Sequence, residues 1–306
     1  MNTTKTLNEL TIRDNFLFAA VMQQGDNCKR LLEMLLGIAI ERIEILYEKS
    51  ILYNPQYKGI RMDVYARDEA DTCYNVEMQV LWDELPRRSR YYHSQIDMEL
   101  LGRSEDYDRL PDSYVIFICD FDPFGLKRYR YSFERLCLED RQLSLKDGCR
   151  TIFLNTRGEN REEIPVELLH FLTFIRENEA HKTRDYTDEY VGQLQRSIQD
   201  VKRSREMRNR FMWFELMLRD EYRKGISEGE ALGKAKGKSE AILDLLEDLG
   251  PVSNTLRQRI MQETDLTVLR TMHKAAAKAW SLEQFKASLS SKSEADLSKS
   301  IENESK

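Results

Sequence analysis

Turn-forming and helix-breaking residues are scarce in this chain. Thirteen Gly and six Pro in 306 positions exclude collagen-like repeats and fit poorly with a linker-like or wholly disordered protein. No stretch approaches about eighteen consecutive apolar residues, and the opening MNTTKTLNELTIRDNF lacks the apolar centre of a secretory signal. The expectation is a cytoplasmic chain with no membrane segment. Cysteine is sparse and odd in number: Cys28, Cys73, Cys119, Cys137 and Cys149 are widely and irregularly spaced, which suits reduced thiols better than a disulfide framework or a zinc knuckle. The four histidines, His93, His170, His181 and His273, make no HExxH or paired spacing, so a histidine metal site is not expected. Charge of one sign is also missing. With 47 Lys and Arg against 53 Asp and Glu the net charge is −6, which argues against a protein coated in positive charge but not against local basic patches that meet nucleic acid.

What is present reads as an α/β core followed by helices. In DNFLFAAVMQQGDNCKRLLEMLLG the apolar residues recur at helical intervals and break at Gly25 and Gly37, which predicts two short helices with Asp14 at the start of the first. IEILY, GIRMDVYARD, CYNVEMQVLW and SYVIFICDF then read as strands, and LPRRSRYYHSQIDMELLGRSEDY between the last two reads as a crossing helix. CRTIFLN adds a further strand, and Pro165 is placed for the first turn of a helix through VELLHFLTFI. Helical spacing resumes from about Thr187. Between Arg196 and Lys224 there are nine basic and five acidic residues, suited to a phosphate track or to a solvated helix face.

Gly225, Gly229, Gly233 and Gly237 recur every fourth residue, forming one narrow stripe if the segment is helical. Their surroundings are polar, so the readings are a helical connector, a self-association element giving a homo-oligomer, or a flexible linker. Short helices follow, and the final SKSEADLSKSIENESK is polar. The expected divisions are residues 1–220, 221–240, 241–290 and 291–306.

The chemistry concentrates in two of the strands. In IRMDVYAR period two sets Asp63 opposite Ile60, Met62, Val64 and Ala66, so its carboxylate is expected to face polar space; in YNVEMQVLW, Glu77 and Gln79 share a face. A turn around Asp68 to Thr72 would bring Asp63 and Glu77 together. Converging carboxylates repel unless a cation, a proton or hydrogen bonds offset them, and hard oxygen donors suit Mg²⁺ or Mn²⁺. The alternative is that both acids belong to the solvated face of a hairpin, beside Arg61 and Arg67.

These segments, with TIRDNFLFAAVM before them and RRSRYYHSQI and YVIFICDFDPFG after, resemble the PD-(D/E)XK nuclease superfamily, and most closely its transposase-associated branch of recombination-promoting nucleases. The resemblance spans about the first 220 residues. It implies a restriction-endonuclease-like core, with a mixed sheet flanked by helices and a small all-helical C-terminal region. It also implies a divalent-metal-dependent endonuclease that hydrolyses DNA. Asp63 matches the first acid of the motif, Glu77 the second and Gln79 the usual lysine, while Asp14 matches an extra acid from the first helix. Two departures stand out. Met62 replaces the proline, which supplies no ligand, and Gln79 is neutral, so it can orient water but cannot replace a cation. Activity is therefore expected to be weak, more metal-dependent or lost, and the alternative function is a silent nucleic-acid-binding or self-associating module. Arg87, Arg88, Arg90, Tyr91, Tyr92 and Gln95 are candidates for phosphate contact, base stacking or site support, or for ordinary surface and packing positions.

Overall fold

The computed structural model describes residues 5–47, 50–51, 59–177 and 188–288; the polar tail at 291–306 lies outside them. The first two helices form where the apolar spacing places them, α1 over Asn15–Met22 and α2 over Asn27–Leu36. Gly37 closes α2 in the left-handed region at φ 69°, a conformation costly for any residue with a Cβ.

Strand β1 (Ile43–Tyr47) is followed by β2 (Ser50–Ile51), β3 (Ile60–Arg61), β4 (Val64–Asp68) and β5 (Cys73–Gln79). The run GIRMDVYARD is thus two strands rather than one. β3 pairs with β2 in a small separate sheet, and β4 joins the main one. The break falls at Met62 and Asp63, where the Asp63 N–H donates to the Glu77 carboxylate (3.1 Å) and not to a neighbouring strand. Helix α3 (Leu85–Leu100) then leads to β6 (Ser113–Cys119), β7 (Arg130–Phe133) and β8 (Cys149–Asn155).

The main sheet has the order β1-β4-β5-β6-β8-β7. β1, β4 and β5 run antiparallel to their neighbours in turn, β5, β6 and β8 are parallel, and β7 returns antiparallel to β8. A parallel β5–β6 pair needs a crossover, and α3 supplies it. α3 lies over one sheet face, where Leu85, Tyr92 and Ile96 pack with Tyr65, Val115, Phe117 and Phe153. Helix α1 packs against β5, and α2, α4 (Val166–Glu177) and α5 (Glu189–Arg203) pack with α1 and with one another. Every residue of β5 is consequently buried, as expected for a strand covered on both sides.

The chain divides into two compact units, Met1–Met212 and Trp213–Lys306. Helix α6 (Arg205–Glu247) contains the glycine stripe as continuous helix, and no atom of the described chain, apart from the helix's own backbone, stands within 4 Å of where a Cβ would be at Gly225, Gly229, Gly233 or Gly237. In the second unit the end of α6 packs with α7 (Asn254–Gln262) and α8 (Leu266–Ala276) around Ile242, Leu246, Ile260, Leu269 and Phe285. No helix among the described residues is long and apolar enough to cross a membrane. The five cysteines are free thiols, three of them buried.

Candidate active site

The β4–β5 hairpin brings the two acids together. Its turn is closed by the Asp68 N–H donating to the Thr72 carbonyl (3.2 Å), with Asp71 at φ 62°. The register sets Val64 against Val76, so Asp63 stands one step further along, opposite Glu77. Each carboxylate accepts from the other strand's backbone: Glu77 Oε1 from Asp63 N–H (3.1 Å), and Asp63 Oδ2 from Met78 N–H (3.1 Å). The crossed pair fixes both groups through the main chain.

The sequence pattern sets Asp63 toward polar space, but the structure buries it. Asp63 is 8% exposed and Glu77 is fully buried, because alternation decides which face a side chain takes and α3 lies over that face. Burial is the main cause of the shift at both acids. It raises the Asp63 carboxyl to about 6, against the lowering effects of the Met78 N–H, Arg88 and Asn15. Glu77 is raised well above the usual carboxylate range by burial and then by the Asp63 charge, with Arg88 acting against both. The pair is therefore disfavoured in its doubly ionised form, since burial and mutual repulsion penalise it by more than Arg88 offsets.

Arg88 is the cation that reaches in. Its Nη2 lies 2.7 Å from Glu77 Oε2, its Nη1 donates to Gln79 Oε1 (3.3 Å), and its Nε donates to the Tyr92 hydroxyl (2.7 Å). The guanidinium also lies over the Tyr92 and Phe117 rings. Gln79 Nε2 is 3.4 Å from the other side of the contact, Glu77 Oε2. The remaining α3 candidates separate by helix phase. Arg87 and Arg90 are exposed, with Arg87 loosely paired to Glu84. Tyr91 packs against the hydrophobic core, and Gln95 is buried beside it on the helix.

Asp14 is turned elsewhere. It sits at the start of α1, but its carboxylate accepts from the Thr11 N–H (2.7 Å) and hydroxyl (3.0 Å) and pairs with Lys5. Its neighbour Asn15 instead donates to Asp63 Oδ1 (3.2 Å), a contact across 48 positions that no local pattern signals. Among the described residues no group of three His, Cys, Asp or Glu side chains is arranged to hold a metal ion. The two carboxylates and the Gln79 amide are nevertheless hard oxygen donors, and a divalent cation such as Mg²⁺ would offset the burial and repulsion that penalise their ionised forms.

Sequence reasoning also passed over the strand ends next to the acids. Asp120 follows β6 directly, and its N–H donates to the Gln79 carbonyl (2.9 Å). It is buried and pairs with Arg13 and Arg157. Its position was open to recognition, because the carboxyl ends of parallel strands are where open α/β sheets place ligands.

A mixed sheet whose antiparallel hairpin presents paired acids beneath a crossover helix is the architecture of a PD-(D/E)XK-like core. The family model described as PD-(D/E)XK nuclease family transposase matches residues 16–227, and the chain belongs to that family. No curated protein and no solved structure matches it.

Proposed function

We propose that this protein is a divalent-metal-dependent endonuclease that hydrolyses phosphodiester bonds in DNA, linked to recombination or to a mobile element. The observation that carries the reading is the convergence of Asp63 and Glu77, buried, cross-bonded to each other's strands and only partly neutralised by Arg88. A protein retains such a buried, mutually repelling acid pair at a cost to stability, which favours a functional role over a structural one. Membership of a nuclease-like family supports the reaction class.

In this reading Asp63 and Glu77 hold Mg²⁺ or Mn²⁺, and Asp14 joins them only by turning from Lys5 and Thr11. The bound cation would stabilise charge on the phosphate and lower the pKa of the attacking water. Gln79, whose amide both donates and accepts, orients that water. Arg88 positions the Glu77 and Gln79 side chains and provides positive charge where the family's lysine is absent, while Tyr92 anchors Arg88. Arg87 and Arg90 on the exposed side of α3, and Tyr91 and Gln95 further along it, are candidates for contact with DNA and for support of the site. Residues 1–220 are the catalytic domain in this scheme, 221–240 the connector and 241–290 a small helical domain.

A second reading has its own support. The guanidinium of Arg88 already stands against Glu77, and Gln79 replaces a cation, both of which suit a catalytically silent DNA-binding or self-associating module. Supercoiled and linear DNA incubated with the purified protein in Mg²⁺, Mn²⁺ or EDTA separates the two. The expected result is strand breakage only with metal, reduced at least about 100-fold by Asp63→Ala or Glu77→Ala. Binding without breakage, or breakage indifferent to both substitutions, overturns the proposed mechanism.

A further inference from the structure

We propose that Arg13 and Arg157, pinned by Asp120, form a phosphate-binding subsite that holds the backbone of the DNA strand beside the acid pair. The inference rests on the nuclease reading for its substrate, but its geometry is separate. Strands β5, β6 and β8 are parallel, so Gln79, Asp120 and the Asn155–Arg157 segment all emerge at the same end of the sheet. Backbone bonds tie them together: Asp120 N–H to the Gln79 carbonyl (2.9 Å) and Thr156 N–H to the Cys119 carbonyl (3.0 Å).

Asp120 is buried and organises the cluster. Its Oδ1 accepts from the Thr156 hydroxyl (2.9 Å), and its Oδ2 pairs with Arg13 Nη1 and lies 3.5 Å from Arg157 Nη2. Arg157 is held a second time, by its Nε donating to the Asp120 carbonyl (2.8 Å). Arg13 lies two residues before Asn15, whose amide reaches Asp63, so one short segment serves both clusters.

Two features point to an anionic ligand. The Asp120 carboxylate is shared by two guanidiniums. Arg157 presents its positive charge on a side chain that is 56% exposed yet fixed at two points. A guanidinium has five donors in a planar fork, and a pinned, exposed one suits a phosphate diester, which presents two acceptor oxygens. The cluster is joined to Gln79 through the Asp120 N–H, which sets it at the strand end that also carries the acid pair.

The test is binding of a fluorescently labelled DNA duplex by the full chain in EDTA, measured over a salt series. Each phosphate contact adds about 0.9 to the slope of log K against log salt. Arg157→Gln is expected to weaken binding about fivefold or more and to flatten the slope by about 0.9, and Arg157→Lys to restore the slope. Asp120→Asn is expected to weaken binding although it makes the protein more positive, since it removes the carboxylate charge that holds both guanidiniums in place. If Asp120→Asn fails to fold, as thermal melting would show, the exposed Arg157 variants decide. An unchanged slope in Arg157→Gln, tighter binding by a folded Asp120→Asn, or no DNA binding by the native chain overturns the subsite. The nuclease reading is judged separately: Asp63-dependent cleavage with an unaltered Arg157→Gln slope removes the subsite alone. A flattened slope without Asp63-dependent cleavage removes the enzyme and leaves the contact.

Discussion

Arg88 and His93 lie five residues apart on α3, and each enters a buried polar cluster under that helix. The two clusters accommodate burial in opposite ways. His93 places Nδ1 2.8 Å from the Ser113 hydroxyl and Nε2 3.1 Å from the Thr151 hydroxyl, so both ring nitrogens are partnered by neutral groups. Burial, with a smaller effect of Arg135, lowers its pKa to about 4 and keeps it neutral. Around Arg88 two carboxylates share one close guanidinium, and burial raises both acids. The satisfied neutral network around His93, midway along the helix, costs little and orders the core. The penalised acid pair under Arg88 is a destabilising feature that a fold keeps for chemistry.

Removing the Arg88 cation tests the comparison most severely. Arg88→Ala leaves Glu77 buried beside Asp63 without its ion pair, and should destabilise the metal-free protein by about 3–5 kcal/mol in urea unfolding at neutral pH. A loss below about 1 kcal/mol would mean that the pair is already relieved by proton or solvent.

The histidine cluster is tested by acid. Between pH 6.5 and about 4 the unfolded chain protonates His93 while the folded chain does not, so the unfolded state binds more protons and stability falls as pH falls through this window. The stability is fully present above pH 6.5, and its loss by pH 4 is on the order of 3 kcal/mol. His93→Gln should flatten that part of the profile in melts at pH 7.5 and 4.5; an unchanged slope would assign the acid sensitivity to other groups.

Asp63 acts in the reverse direction. A carboxyl raised to about 6 contributes stability below its unfolded pKa of 3.8 and loses it as pH rises through the folded value. Asp63→Asn keeps an oxygen for the Met78 N–H, and a flipped Asn15 amide can accept from the new NH₂. The substitution should stabilise the metal-free protein by about 1–2 kcal/mol at pH 8 while removing cleavage. A lower melting temperature would show that the aspartate's hydrogen bonds outweigh its charge.

Much of the fold was legible because its signals are local. Helical spacing with Gly25 and Gly37 as breaks marked α1 and α2, and alternation around a polar turn marked the β4–β5 hairpin and paired Asp63 with Glu77. Alternation does not reveal what covers a face, so the burial of both acids under α3 was not readable. Helical spacing does set Arg88, Tyr91, Tyr92 and Gln95 along one side of α3, apart from Arg87 and Arg90, but it does not reveal that Arg88 reaches Glu77. Asn15 on Asp63 and Arg13 on Asp120 are products of tertiary packing, with no spacing rule to predict them.

The crossed bonds of the hairpin also order the site by sequence distance. Asp63 and Glu77 meet across 14 positions, whereas Arg13 reaches Asp120 across 107. Closing the longer loop costs about 2 kcal/mol more in chain entropy. The acid pair is therefore a property of one supersecondary unit, while the arginine cluster exists only when the first segment has docked on the finished sheet. Local opening of that segment would release Arg13 and Asn15 together and leave the two carboxylates facing each other on an intact hairpin.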